Sequence, residues 1–168
     1  MIAPLGGSYV ELLSVVDPEV GPSTELGRAL LASSADGDRW FSVCLSDDDL
    51  ETTAARLGLD VQQGSRRRPD GIEVRWRGAG IDQRGDELWL PFFIAWDVPT
   101  ELHPGSGPAD HRVDVRGIAW VEVAGDEARL RSWLGGVEIA FRVVGGEPSG
   151  VRAVGLTLGE SEELVVRP

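Results

Sequence analysis

Few side chains in this sequence can do chemistry near neutral pH. His103 and His111 titrate in that range and stand eight residues apart, with Asp110 beside the second. That is no metal-ligand spacing. Each is either a solvated loop residue or, on a mobile loop, a general acid or base closing over a cavity. All 16 basic residues are Arg, so a Lys Schiff base is excluded and any bound anion is held by a guanidinium or by backbone N–H groups. Arg75, two positions from Glu73, is either the partner of a ligand carboxylate or half of an ion pair. Arg66, Arg67 and Arg68 form the only basic run, a solvated hairpin tip or an anchor for an anionic group. The lone Cys44 excludes an internal disulfide and a Cys-rich zinc or iron-sulfur site. No G-x-S-x-G elbow serves either His, and GGEPSG at 145–150 lacks the Lys and the strand-loop-helix context of a phosphate loop. Of six Trp, Trp76, Trp89 and Trp96 gather with Phe92 and Phe93 on two expected strands, as core or as the wall of a ligand site.

The whole-chain balance narrows the partners. With 28 acidic residues and a formal charge of -12, most of the surface repels phosphate backbones and anionic lipid headgroups, so neither nucleic acid nor membrane is an expected partner. No apolar run approaches the roughly 18 residues of a membrane span, and no basic region leads into an apolar one at the N-terminus. A cytoplasmic location is the expectation.

These residues must be positioned by a small set of elements. YVELLSVV at 9–16 reads as a strand bounded by Gly6-Gly7 and Asp17-Pro18. Ser23-Thr24-Glu25 opens a connecting helix through Leu26, Leu30 and Leu31. From Trp40 a unit follows: strand FSVCL, a helix entered at 47–49 with Leu50, Ala54 and Leu57 on one face and ending at Gly58, then strands at 60–63, 72–77 and 88–96. Shifted by 77 residues, 41–58 falls on 118–135, with Asp49 on Asp126 and Leu57-Gly58 on Leu134-Gly135. Strand-like runs at 137–144, 151–158 and 163–166 complete a second β-α-β-β-β unit. The expected organisation is 1–39, a strand and connecting helix; 40–97, one module; 98–116, a Pro-rich linker carrying both His; and 117–168, the second module.

The stretches GGSYVELLSV (6–15), DDLETTAARLGL (48–59), RRPDGIEVRWR (67–77), LPFFIAWD (90–97), HP (103–104) and RGIAWVEVAG (116–125), in this order, resemble the glyoxalase-like branch of the vicinal oxygen chelate superfamily. The resemblance implies an α+β fold of tandem β-α-β-β-β modules that form a curved mixed sheet around a cavity. Family members carry a strand, a helix and two more strands before the YVEL strand. Residues 1–39 are therefore expected to hold the remnant of a first module, with the YVELLSVV strand joining the sheet of the two complete units or of a second copy. A homodimer is expected.

In metal-dependent members of that superfamily, His and Glu from the first and last strands of each module hold a divalent ion. Glu11 stands at one such place, while Ser42, Ala119 and Ala95 stand at three others and cannot bind a metal. No cofactor is therefore expected, and a divalent metal is the alternative. By alternation Glu11 shares a face with Tyr9, and by analogy the Phe93 face of the LPFFIAWD strand is expected to be the concave one, widened by Ala95 for an apolar ligand. Three readings stay open. The first is a binding protein for a small apolar or aromatic molecule through Tyr9, Arg75, Trp76, Phe93 and His111. The second is a lyase, isomerase or dioxygenase using Glu11 and His103. The third is a structural homodimer with a filled cavity.

Overall fold

Two short helices with matched ends organise the chain. In the computed structural model, which describes residues 1–159 and 162–168, α2 spans Leu50–Leu57 and α3 spans Glu127–Leu134. Asp126 opens α3 by accepting from the backbone N–H of Ala128 at 2.8 Å and of Arg129 at 3.3 Å. Asp49 holds the same place at α2 without a side-chain cap bond. Gly58 and Gly135 close the helices at φ 67° and 57°, left-handed conformations that a glycine adopts without a Cβ penalty. A third helix, α1 at Glu25–Ser33, starts where Thr24 accepts from Gly27 N–H at 3.0 Å and buries only Gly27.

The first module consists of β3 (Cys44–Ser46), α2, β4 (Val61–Arg67), β5 (Glu73–Ala79) and β6 (Phe92–Trp96), in the spatial order β3-β6-β5-β4. β3 is parallel to β6 and the other pairs are antiparallel. The second consists of β7 (Val115–Ala124), α3, β8 (Phe141–Val144), β9 (Gly150–Leu158) and β10 (Glu162–Val166), in the order β10-β9-β7-β8. The order along the chain repeats, but the order in space does not. The opening strand of the first module pairs with its last strand, whereas β7 lies between β8, to which it is parallel, and β9. The fold is α+β, built of mixed sheets.

One core joins the modules. Leu50 and Ala54 of α2, Phe93 and Ala95 of β6, Val123 of β7 and Leu130, Trp133 and Leu134 of α3 are buried together. Polar ties lock this packing: Trp133 Nε1 donates to the Pro91 carbonyl at 2.7 Å, Arg56 donates to the Gly135 carbonyl at 2.6 Å, and Arg129 pairs with Glu87 at 2.7 Å. Each runs from one module to the other.

The N-terminal strand departs from expectation. Only Ser8–Glu11 of it is extended, as β2, and its partner is β1 at Ile2–Leu5, with Leu5 opposite Ser8 and Ile2 opposite Glu11. Gly6-Gly7, both at positive φ, make the two-residue turn. The strand joins neither module's sheet because the residues before it supply its partner, and Leu12, Leu13 and Val16 stand exposed beyond the hairpin. Leu5 packs with Val154 and Leu156 of β9, and Val10 joins them, so the hairpin rests on the second sheet. The strand expected over 88–96 starts only at Phe92, and β7 begins at Val115, inside the stretch read as linker.

A core shared by both modules should unfold as one unit. Leu50→Ala is expected to cost about 2–5 kcal/mol, and urea unfolding followed by Trp fluorescence and by far-UV circular dichroism should give one coincident transition. Two separated transitions would show that the modules fold independently.

Candidate functional site

The strand register decides which aromatic rings meet. Phe93 and Ala95 point to the helix side, Phe93 only 2% exposed, so Phe92, Ile94 and Trp96 occupy the opposite face of β6. The expectation that the Phe93 face is the concave one is corrected here: alternation along the strand holds, but α2 and α3 cover that face. Cross-strand pairing puts Trp76 beside Trp96, Gly78 beside Ile94 and Cys44 beside Phe92. The opposite face of the first sheet is therefore lined by Cys44, Phe92, Ile94, Trp96 and Trp76, with Ile94 itself buried. Trp76 lies flat over its cross-strand neighbour Gly64, where a Cβ would meet the indole at 2.3 Å.

Two further segments bring rings to this face. The hairpin delivers Tyr9, its centroid 6.4 Å from Trp96, and the loop after β6 delivers His103, 6.0 Å from Trp96 and 6.1 Å from Tyr9. Trp76 and Trp96 lie 5.4 Å apart. All four separations fall in the range of favourable edge or tilted contacts. His103 is held between two 3-10 turns, Thr100–Leu102 and Pro104–Ser106, with its Nδ1 accepting from Gly105 N–H at 3.0 Å. A neutral imidazole that accepts at Nδ1 carries its proton at Nε2. The loop is pinned to the hairpin by Gly7 N–H donating to the Gly105 carbonyl at 3.0 Å. That approach needs Gly105, since a Cβ there would lie 2.5 Å from the Gly7 carbonyl oxygen.

The site keeps its acids neutral. Burial, with the nearby Cys44 and Glu11 adding to it, raises the Tyr9 hydroxyl well above the ordinary tyrosine value, so it remains a donor at neutral pH. Burial likewise keeps the Cys44 thiol protonated, despite the Arg84 charge that favours the thiolate. The indole Nε1 of Trp96 is buried with no hydrogen-bond partner of good geometry among the described residues, and its N–H, close to the Tyr9 oxygen, partly offsets the effect of burial there. Glu11, exposed at the end of β2, lies at the rim.

The other expected site residues lie apart. Arg75 is on the opposite face from Trp76 and is paired with Glu73 at 2.6 Å. Phe93 is core. His111 Nε2 lies 2.6 Å from the Pro4 carbonyl, tethering its loop to β1. Trp96 was visible in the sequence only as one of several aromatics. Arg84, buried on the loop between β5 and β6, was not signalled at all, because that loop has no periodicity. A separate cleft of about 420 Å³, lined by Glu87, Trp89, Asp126 and Glu147, opens elsewhere. Two of its carboxylates are already engaged, Glu87 with Arg129 and Asp126 as the cap of α3.

The divalent-metal site of the oxygen chelate superfamily does not fit these residues. The Ser42 hydroxyl is engaged by the Arg84 guanidinium, a cation where a metal ligand would stand, and Ala95 is in the core. Among the described residues, no three His, Cys, Asp or Glu side chains converge. Nor is any helix among them long and apolar enough to cross a membrane.

A family model described as a glyoxalase-like domain matches residues 1–137, from the hairpin through α3, and leaves β8–β10 outside the match. No curated protein and no solved structure matches the chain.

Tyr9 is the only Tyr, so its titration can be read directly. Ultraviolet absorbance of the native protein should show no phenolate formation at pH 10, whereas the urea-unfolded chain titrates near the ordinary value of about 10. Because the folded-state value is raised, the associated stability is present below pH 10 and is lost as pH climbs toward the folded value. Glu11→Gln should lower the native titration midpoint; an unchanged midpoint would separate Glu11 from this site.

Proposed function

The chain belongs to the glyoxalase-like domain family, and on that premise we propose that it binds a small apolar or aromatic molecule at the aromatic face of the first sheet, without the metal of its metal-dependent relatives. One observation carries the reading. Rings from four segments, Tyr9 of β2, Trp76 of β5, Trp96 of β6 and His103 of the following loop, converge on one face around a buried indole N–H that has no acceptor among the described residues. A buried unpaired donor costs about 1–3 kcal/mol, and a ligand acceptor would recover it.

Trp120 of the second module, in contrast, finds its partners within the protein. Trp120 lies over Gly155, donates Nε1 to Glu163 at 2.8 Å and carries the Arg142 guanidinium 3.6 Å from its ring centroid. Trp96 has no such partners. In the proposed complex the ligand stacks on Trp76 and Trp96 and accepts from Trp96 Nε1–H. The neutral Tyr9 hydroxyl and His103 Nε2–H offer further donors, and Glu11 at the rim selects for a donor on the ligand. These groups bind and orient; no bond-breaking step is assigned to them.

Titration with a panel of indole, naphthol and phenol derivatives, followed by quenching of Trp fluorescence, tests the proposal. At least one compound is expected to bind with a micromolar Kd. Trp96→Phe, which keeps an aromatic ring and removes the N–H, should weaken an acceptor-bearing ligand about tenfold, equivalent to about 1.4 kcal/mol. If no member of the panel binds, the rings are packing alone and the filled-interior reading takes its place.

A further inference from the structure

Arg84 is 7% exposed, a depth at which a charged side chain is ordinarily paired with an opposite charge. Its donors go instead to neutral acceptors. Nε donates to the Ile81 carbonyl at 3.3 Å; Nη1 reaches the Leu90 carbonyl at 3.2 Å, the Leu88 carbonyl at 3.5 Å and the Ser42 hydroxyl. The guanidinium carbon sits 5.0 Å from the centroid of Phe92, within cation–π range. Among the described residues no carboxylate lies within ion-pairing distance of this guanidinium, and none accepts from Nη2. The charge is solvated by dipoles and one ring, with no counter-ion among the described residues.

Its position is what gives this meaning. Phe92, the ring under Arg84, is on the same face of β6 as Ile94 and Trp96 and is paired with Cys44. Phe92 and Trp96 are four residues apart on one strand, a separation of about 13 Å at 3.3 Å per residue. The face therefore has an aromatic end at Trp76 and Trp96 and a cationic end at Arg84, with the buried Ile94 between them.

We infer that the ligand of this face is an amphiphilic carboxylate: an aromatic or apolar body lying on Trp76 and Trp96, and a carboxylate taken by Arg84 through Nη2. A planar guanidinium is suited to that group, and a charge-assisted bond in a buried setting is stronger than a neutral one. The inference rests on the binding reading above and adds the charge of the ligand and the residue that recognises it. The 13 Å span favours a ring separated from its carboxylate by several methylenes over benzoate.

Isothermal titration with 8-phenyloctanoate and with its neutral isostere 8-phenyloctanamide separates the two readings. The acid should bind at least tenfold tighter than the amide to the unaltered protein, and tighter than benzoate. In Arg84→Gln the acid-to-amide ratio should fall to near one, the larger loss falling on the acid. If Arg84→Gln does not fold, as judged by circular dichroism, Ser42→Asp decides: it keeps Arg84 but supplies an internal carboxylate, and should abolish the preference in the same way. Equal binding of acid and amide to the unaltered protein, or a preference that survives substitution in the folded variants, overturns the anion inference while leaving an aromatic site in place. If neither compound nor any member of the ring panel binds, both readings fall.

Discussion

The burial of α2 and α3 between the modules is the constraint on which the rest depends. Leu50, Ala54, Leu130, Trp133 and Leu134 need an apolar surface to pack on, and β6 supplies it through Phe93 and Ala95. A strand has two faces. Once one is committed to the helices, Phe92, Ile94 and Trp96 must stand on the other, and the register with β5 and β3 adds Trp76 and Cys44 beside them. The candidate site is thus the reverse side of the core, and the polar ties from Trp133 to Pro91 and from Arg56 to Gly135 hold both at once.

The N-terminal hairpin completes what the first sheet cannot supply alone. By pairing with each other, β1 and β2 remove the exposed edge that a lone strand would present. Val10 points to the second sheet and Tyr9, its neighbour in sequence, to Trp96, so this short ribbon bridges two surfaces. Its docking rests on the contact of Gly7 with Gly105, which fixes at the same time the loop that carries His103. Tyr9 and His103 reach the aromatic face through one backbone junction.

Desolvation sets the electrostatics of this face. It keeps Tyr9 and Cys44 protonated and weighs against the charge on Arg84, lowering its affinity for a proton. In a chain of net charge -12 most cations are paired at the surface, as Arg75 is with Glu73 and Arg131 with Glu127. Arg84 stands apart from that pattern: it is buried, and its partners are neutral.

Much of the architecture was legible from residue order. Alternation and helix-end chemistry are local properties, so Asp49 and Asp126, Gly58 and Gly135 and the chain order of the two modules could be read directly, and the family resemblance followed from collinear stretches. Tyr9, Trp76 and His103 were each singled out by residue type, and their rings come together around Trp96. What residue order left undetermined was which side of each strand turns inward, since alternation specifies two faces without saying which one the helices cover; Phe93 and Arg75 were misplaced for that reason. The different spatial order of the second sheet, the pairing of β2 with β1 and the burial of Arg84 were likewise decided only by tertiary packing. They depend on contacts between segments far apart in the chain, and no local pattern encodes those.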